Sequence, residues 1–255
     1  MADSGTSFLQ RMRDAKAAAF VAPFVVFMVM LEGIRLFRIE NSALPWWQQY
    51  PEHWGYPLQV VVCLVLIWFW RKHYPKFSWS GMGWGIGAGV FGILVWLLPP
   101  VLHHFTGWGD AVSWLSHFGF QERLEGFDPE VFREDYPGWV KGVVVAMRFL
   151  RLVVIVSLVE EIFWRGFLMR WISDSEGDWS KFSLKKCSTK SLWITAGAFA
   201  LAHAGPDVFV AVLYGALAGW VTIRTGNLWA VVAMHMTANL VLGIFIMSTG
   251  WWGVW

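Results

Sequence analysis

The middle of the chain is a long apolar segment. Residues 139–172 have the sequence WVKGVVVAMRFLRLVVIVSLVEEIFWRGFLMRWI. A helix needs about 20 mainly apolar residues to cross a hydrocarbon core of about 30 Å, and this segment is longer than that. Ionisable side chains nevertheless lie deep within it, at Glu160, Glu161 and Arg165. The segment therefore predicts a transmembrane helix that carries charged groups inside the bilayer.

The overall composition supports a membrane location. Hydrophobic residues make up 56% of the chain and charged residues only 15%, whereas soluble domains carry about 25% charged residues. There are 20 tryptophans, a residue that suits the boundary between bilayer and water. The formal charge of +2 and the lack of a basic, aromatic-interleaved stripe argue against a nucleic-acid partner. Cys63 and Cys187 show no metal-binding spacing, and we expect no disulfide between them.

Six further apolar runs accompany the central segment. They occupy residues 17–31, 58–70, 81–102, 192–204, 208–223 and 228–247. The first is interpreted as an uncleaved anchor helix rather than a signal peptide, because no small-residue cleavage site follows it. The run ending at Ala204 is short for a full crossing. We predict an all-α polytopic membrane bundle of about 7–8 transmembrane helices: seven are counted, and an eighth is possible if part of 103–138 inserts.

Loop charges predict the orientation of these helices. Basic residues remain on the cytoplasmic side of a membrane, and they cluster at the N-terminus, at 71–76, at 181–190 and at Arg224. When the helices are threaded through the membrane in order, these basic segments all fall on one side. This topology has a cytoplasmic N-terminus and an external C-terminus. We expect one transmembrane domain spanning 1–255.

Two parts of that domain are distinguished by composition. The catalytic core is predicted at 139–247, and an acidic extracytoplasmic loop at 103–138. The loop is either solvated or a lid over the site, and His103, His104 and His117 are interpreted as loop histidines.

The central segment contains the first of three polar groups that apolar helices rarely tolerate. Placing a carboxylate at mid-bilayer costs at least about 2.5–3.5 kcal/mol of insertion free energy. Such a residue is therefore expected only where it forms an ion pair, contacts water or takes part in a reaction. If Arg148 and Arg151 mark the outer interface, Glu160 lies close to the midplane. Glu161 and Arg165 are four residues apart and can form an ion pair, whereas Glu160 is rotated by about 100°. We expect Glu160 to act as a base and Glu161–Arg165 to support it; alternatively, both glutamates share Arg165.

The other two groups lie in later helices. His203 ends an apolar run that contains Phe199, and about 18 Å of helix brings it to mid-depth. His235 and Asn239 are four residues apart in the last span and share one face. Their N–H groups are suited to an oxyanion hole, although polar contacts between membrane helices are a simpler explanation. Because the three polar groups are expected at the same depth in the membrane, we favour the interpretation that they form a single site.

Two hydrolytic schemes fit these residues. In the first, which needs no cofactor, Glu160 and His203 deprotonate a water, and His235 and Asn239 hold the oxyanion. In the second, Glu160, His203 and His235 bind Zn²⁺, which activates the water. No GxSxG or HExxH motif is present. The residues alone leave both schemes open.

The three motifs resemble those of a known family. Glu160-Glu161-x-x-x-Arg165, Phe199-x-x-x-His203 and His235-x-x-x-Asn239 are similar, in this order, to the motifs of the CPBP family. That family comprises type II CAAX prenyl endopeptidases and bacteriocin-processing or immunity membrane proteins. The resemblance covers 139–247 well. Residues 158–171 and the ending 249–255 look like the subgroup found beside bacterial exosortase systems.

The resemblance implies an all-helical intramembrane protease of the glutamic type. It implies that Glu160 and His203 activate water and that His235 and Asn239 stabilise the oxyanion, with Glu161, Arg165 and Phe199 supporting them; a zinc-dependent version is the alternative. It also implies the bacterial inner (cell) membrane as the location. The expected partners are membrane lipids and a membrane-associated protein or peptide substrate. A non-catalytic scaffold or immunity protein and a small transporter are the competing functions.

Overall fold

The computed structural model describes residues 15–39, 44–121, 123, 126–127, 129, 137–203 and 205–254. Most of the acidic positions of the predicted loop lie outside these described residues. Within them, the protein is built from helices alone. The all-α class expected from the apolar runs is confirmed.

Seven main helices form the bundle. They are α1 Lys16–Leu36, α2 Glu52–Phe69, α3 Met82–Thr106, α4 Gly138–Ser173, α5 Thr189–Ala202, α6 Val208–Thr225 and α7 Leu228–Thr249. Short helical segments lie at Trp46–Gln49 and Trp108–Ala111, with single turns elsewhere. All of the main helices except α5 are long and apolar enough to cross a membrane. The multi-pass membrane fold is confirmed, and the described residues contain six such helices where seven or eight were expected.

The seventh predicted span is a short helix. α5 has 14 residues, which at 1.5 Å per residue is about 21 Å and less than the hydrocarbon thickness. It packs against α6 as an antiparallel hairpin. Gly205, with φ of 112°, lies just beyond its end and Pro206 follows, so the chain turns back before the helix can cross.

α4 is a single long helix with two widened turns. The segments Leu150–Val156 and Trp164–Leu168 are π-helical, and they bracket the α-helical turn Ser157–Phe163. Such widened turns are rare and occur frequently at functional sites. Both glutamates of the first motif lie in the regular turn between them.

α3 differs from its predicted extent. It continues through Pro99 and Pro100 to Thr106, beyond the expected end at Leu102, because packing by neighbouring helices compensates for the missing N–H groups. His103 and His104 therefore lie on a helix rather than in a loop. His103 is buried, and its Nδ1 accepts a hydrogen bond from the Gly109 backbone N–H at 3.2 Å.

Glycines allow α3 to pack directly on the backbone of α7. A Cβ atom at Gly85 would lie 2.0 Å from the Ala230 carbonyl oxygen, and one at Gly89 would lie 2.3 Å from that of Met234. Small residues spaced four apart permit this close approach between membrane helices. Because α7 carries the third motif, this contact fixes the depth of His235.

Substitution of Gly89 should disrupt this contact. We expect Gly89→Ala to destabilise the protein by about 1–3 kcal/mol, because the added methyl group meets a backbone carbonyl that cannot move aside. Gly87→Ala is the matched control, since nothing lies within 4 Å of its Cβ position, and it should be neutral or slightly stabilising. Thermal unfolding in detergent distinguishes the two, and equal melting temperatures would contradict the packing argument.

Candidate active site

A cavity of about 250 Å³ lies inside the bundle, and side chains from all seven main helices line it. Glu160, His203, His235 and Asn239 all contribute to its wall. The structure therefore brings the four candidate catalytic residues to one place from α4, α7 and the end of α5. Their chemical roles remain predictions.

Glu160 is a nearly buried carboxylate, 6% exposed. Within the described part of the chain, no group donates a hydrogen bond to its Oε2 atom. A buried polar atom without a partner is costly, so cavity water or a bound substrate is the available partner. This environment suits a group that exchanges a proton.

Glu161 points away from the cavity into a buried ion pair. Arg165 Nη1 donates to Glu161 Oε1 at 2.9 Å, and both side chains are 0% exposed. Arg165 Nη2 donates to the Gly215 carbonyl at 3.0 Å, and its Cζ lies 5.1 Å from the centroid of the Phe199 ring. The described residues thus pair Arg165 with Glu161 and leave Glu160 outside that pair.

His235 is held by the same carboxylate. Its Nδ1 lies 2.8 Å from Glu161 Oε1, so Nδ1 carries the proton and donates it to the oxygen. The ring is thereby oriented, and Nε2 remains for the cavity. Nε2 accepts a hydrogen bond in the neutral ring and donates one only when the ring carries both protons.

Asn239 is placed differently from the expected oxyanion donor. Its Nδ2 donates to the Leu152 carbonyl at 2.8 Å and lies 3.4 Å from Ser157 Oγ. Both amide hydrogens therefore have partners within the bundle, and the free group is the Oδ1 acceptor. Leu152 belongs to the first π segment, so Asn239 links α7 to the widened part of α4.

His203 lies at the C-terminal end of α5. Its Nδ1 is 2.9 Å from the Phe199 carbonyl oxygen, which places the proton on Nδ1 and leaves Nε2 as an acceptor. The ring centroid is 4.3 Å from that of Phe199 and 5.6 Å from that of Trp96. Aromatic contacts and one hydrogen bond therefore hold the imidazole in place while one nitrogen remains basic.

The sequence analysis missed three further residues that line the cavity. Tyr214 is buried, its hydroxyl has no partner among the described residues, and its ring centroid is 5.8 Å from that of His235. Arg148 and Arg151, expected at the outer interface, are buried and also face the cavity. A tyrosine in an apolar helix looks like a packing residue, so sequence alone gave no signal for it.

Arg123, one of the described residues of the predicted acidic loop, contacts residues at the rim of the cavity. Arg123 Nη1 donates to both carboxylate oxygens of Asp207 at 2.8 Å, and the Gly253 N–H donates to the Arg123 carbonyl at 3.0 Å. Asp207 and Val254 both line the cavity. These contacts join Arg123 to the α5–α6 turn and to the C-terminal tail, and the choice between a lid and a solvated loop stays a prediction.

The zinc scheme requires three protein ligands around one point. In the part of the chain that the structure describes, no three His, Cys, Asp or Glu side chains come together in that way. As these side chains are placed, Glu160, His203 and His235 do not form such a group, and the choice between the two schemes stays a prediction.

Residues 142–241 match the family model described as Type II CAAX prenyl endopeptidase Rce1-like. The CPBP resemblance is confirmed. The matched segment contains all three motifs, and the family is one of peptidases. No curated protein and no solved structure matches the chain. Membership of the exosortase-associated subgroup and a bacterial source stay predictions.

Loss of one charge of the buried ion pair should unfold the core of this CAAX-protease-like protein. We expect Arg165→Met to destabilise it by about 3–5 kcal/mol, because Glu161 would remain buried without its cation. Lys181→Met removes the exposed pair with Asp178, which has an N–O distance of 3.3 Å, and should change stability little, because solvent screens an exposed pair. Denaturant or thermal unfolding compares them, and a mild effect at Arg165 would contradict the structural role.

Proposed function

We propose that the protein is an intramembrane endopeptidase of the glutamic type. The observation that carries this proposal is a nearly buried Glu160 carboxylate, outside the Arg165 ion pair, in the same cavity as His203. A general base must reach water and must not be neutralised by a permanent partner. Glu160 satisfies both requirements, whereas Glu161 satisfies neither.

In the proposed reaction, Glu160 accepts a proton from a cavity water while the water oxygen attacks the peptide carbonyl carbon. The basic Nε2 of His203 accepts a hydrogen bond from the same water and orients it. The tetrahedral intermediate then collapses as the C–N bond breaks, and the proton held by Glu160 passes to the leaving amine. Atoms and charges balance without a further reactant.

For the oxyanion we propose a donor other than the expected pair. Because the Asn239 amide hydrogens are engaged by Leu152 and Ser157, we assign Asn239 to holding α7 against α4. The Tyr214 hydroxyl lies on the wall of the cavity, and we assign it to donating a hydrogen bond to the oxyanion.

For the location, we propose the bacterial inner membrane with a cytoplasmic N-terminus. Basic residues are concentrated at one end of the bundle, in the segments after α2 and α4, in the first turn of α5 and in the last turn of α6; they are Arg71, Lys72, Lys76, Lys181, Lys185, Lys186, Lys190 and Arg224. This distribution supports a cytoplasmic face at that end. The rim at Asp207 and Val254 then lies on the opposite side, where a membrane-associated protein or peptide would enter.

Replacement of Glu160 tests the proposal directly. We expect Glu160→Gln to lower peptide cleavage by at least about 100-fold, because an amide cannot accept the proton, while melting temperature changes little. The assay is mass-spectrometric profiling of a peptide library with protein purified in detergent. Glu176→Gln, in an exposed loop, is the control and should cleave as the unmodified protein does.

Two outcomes of that assay would count against the glutamic mechanism. Retained cleavage by Glu160→Gln would remove Glu160 as the base. Stoichiometric zinc in the active protein, with cleavage lost on chelation and restored by zinc, would favour the metal scheme instead.

Replacement of Tyr214 tests the revised oxyanion site. We expect Tyr214→Phe to lower kcat by about tenfold or more at nearly constant KM, since the lost donor acts mainly in the transition state. Tyr74→Phe is the matched control, because the Tyr74 hydroxyl donates to the Ala19 carbonyl at 2.7 Å away from the cavity. An unchanged kcat in Tyr214→Phe would exclude this role.

A further inference from the structure

A second pocket lies at the basic end of the bundle. Its volume is about 330 Å³, which is at the lower end of the size range of small-molecule pockets. The start of α1, the segment after α2, the last turn of α4 and the loop that follows α4 form its wall. The residues that line it all differ from those that line the cavity with Glu160.

Arg170, in the last turn of α4, is a cation that backbone carbonyl groups fix in the wall of this pocket. Its Nε donates to the Phe182 carbonyl at 3.0 Å, its Nη1 to that of Gly166 at 3.3 Å, and its Nη2 to that of Ser180. These acceptors are neutral, and among the described residues no carboxylate forms an ion pair with Arg170. A guanidinium has five N–H groups, so each Nη atom keeps one N–H for a ligand.

Two lysines of the same pocket share one carboxylate. The Nζ atoms of Lys16 and Lys181 lie 3.8 Å and 3.3 Å from Oδ2 of Asp178. Lys16 Nζ also donates to Ser180 Oγ at 3.3 Å. Together with Arg170, these described groups place three cations against a single anion, so the pocket favours an incoming anion.

Aromatic side chains form another part of the wall. The centroid of the Phe20 ring lies 5.5 Å from that of Tyr74 and 5.3 Å from that of Trp179. The Tyr74 hydroxyl donates to the Ala19 carbonyl at 2.7 Å, which fixes its ring against α1. A pocket with fixed cations and an apolar wall suits a ligand that has both an anionic group and an apolar part.

Exposed tryptophans place this pocket at the level of the lipid headgroups. Trp68, in the last turn of α2, is 63% exposed, and Trp171, directly after Arg170, is 45% exposed. Exposed tryptophans of membrane proteins concentrate at the boundary between bilayer and water. Basic pockets between transmembrane helices at this depth bind anionic headgroups.

We propose that this pocket binds the phosphate group of an anionic phospholipid. Arg170, Lys16 and Lys181 bind the phosphate oxygens, and the aromatic wall contacts the apolar part of the lipid. The bound lipid holds the start of α1 against the end of α4 and the loop after it. A soluble phosphate carries the same group, and the test separates the two sources.

The test measures binding to the full-length protein after its lipids are removed in dodecyl maltoside. The probes are dioctanoyl phosphatidylglycerol, dioctanoyl phosphatidylcholine and inorganic phosphate. One variant combines Lys16→Gln with Lys181→Gln, and a second is Asp178→Asn. Lys190→Gln is the matched control, because Lys190 is an exposed lysine at the same end of the bundle and does not line the pocket. Native mass spectrometry gives the dissociation constant of the first bound lipid, with and without phosphate.

We expect the unmodified protein and Lys190→Gln to bind phosphatidylglycerol at least about tenfold more tightly than phosphatidylcholine. The double lysine variant should lose this preference. Asp178→Asn should tighten phosphatidylglycerol binding several-fold, because it removes the anion that competes for both lysines. Its side-chain oxygen still accepts the Ser180 N–H, and a gain in affinity cannot come from damage to the fold.

Equal binding of the two lipids by the unmodified protein would overturn the proposal. So would a preference that survives in the double variant, or one that Lys190→Gln loses to the same extent. Tight binding of inorganic phosphate without a preference between the lipids would assign the pocket to a soluble phosphate instead. If the double variant fails to fold, Lys181→Gln decides, because its side chain is 80% exposed, and it should lower the preference several-fold. No peptide cleavage is measured, so a negative result leaves the proposed reaction unaffected.

Discussion

The buried ion pair between Glu161 and Arg165 is the contact on which the remaining arrangement depends. One carboxylate oxygen accepts from Arg165 and from His235, and the same guanidinium reaches the Gly215 carbonyl and the Phe199 ring. The pair therefore connects α4 to α5, α6 and α7 at one depth. Removal of one partner from a buried ion pair is strongly destabilising, so these helices cannot shift independently.

This pairing also separates two adjacent glutamates into different tasks. Glu161 is engaged in the structural ion pair. Glu160, one residue earlier, lines the cavity, and Glu161 does not. The ion pair supplies the rigidity that holds Glu160 and His203 in one cavity, so these two proposed reacting groups need no strong partners of their own. This division of roles matters for the proposed reaction, because a carboxylate whose oxygens were all hydrogen-bonded within the protein could not accept a proton from water.

Much of this arrangement was accessible from the sequence, for identifiable reasons. Apolar runs locate membrane helices, and the four-residue spacing predicted the Glu161–Arg165 pair because helical periodicity is local. The hydrogen bond of Asn239 could not be predicted from the sequence, because its partner is a carbonyl in a π segment and no sequence pattern predicts such a segment. Burial of Arg151 depends on Tyr56 and Gln59 from a helix far away in sequence. The continuation of α3 through Pro99 likewise depends on neighbouring helices.

The first π segment has a geometric consequence for the cavity. In a regular helix of 3.6 residues per turn, Arg151 and Glu160 would be two and a half turns apart and on opposite faces. Arg151 lies within Leu150–Val156, which winds less per residue, and both side chains reach one cavity. A single stretch of backbone thus sets both the direction and the separation of these two groups. Helical pitch defines that separation, and it does not vary with the movements of a surface loop.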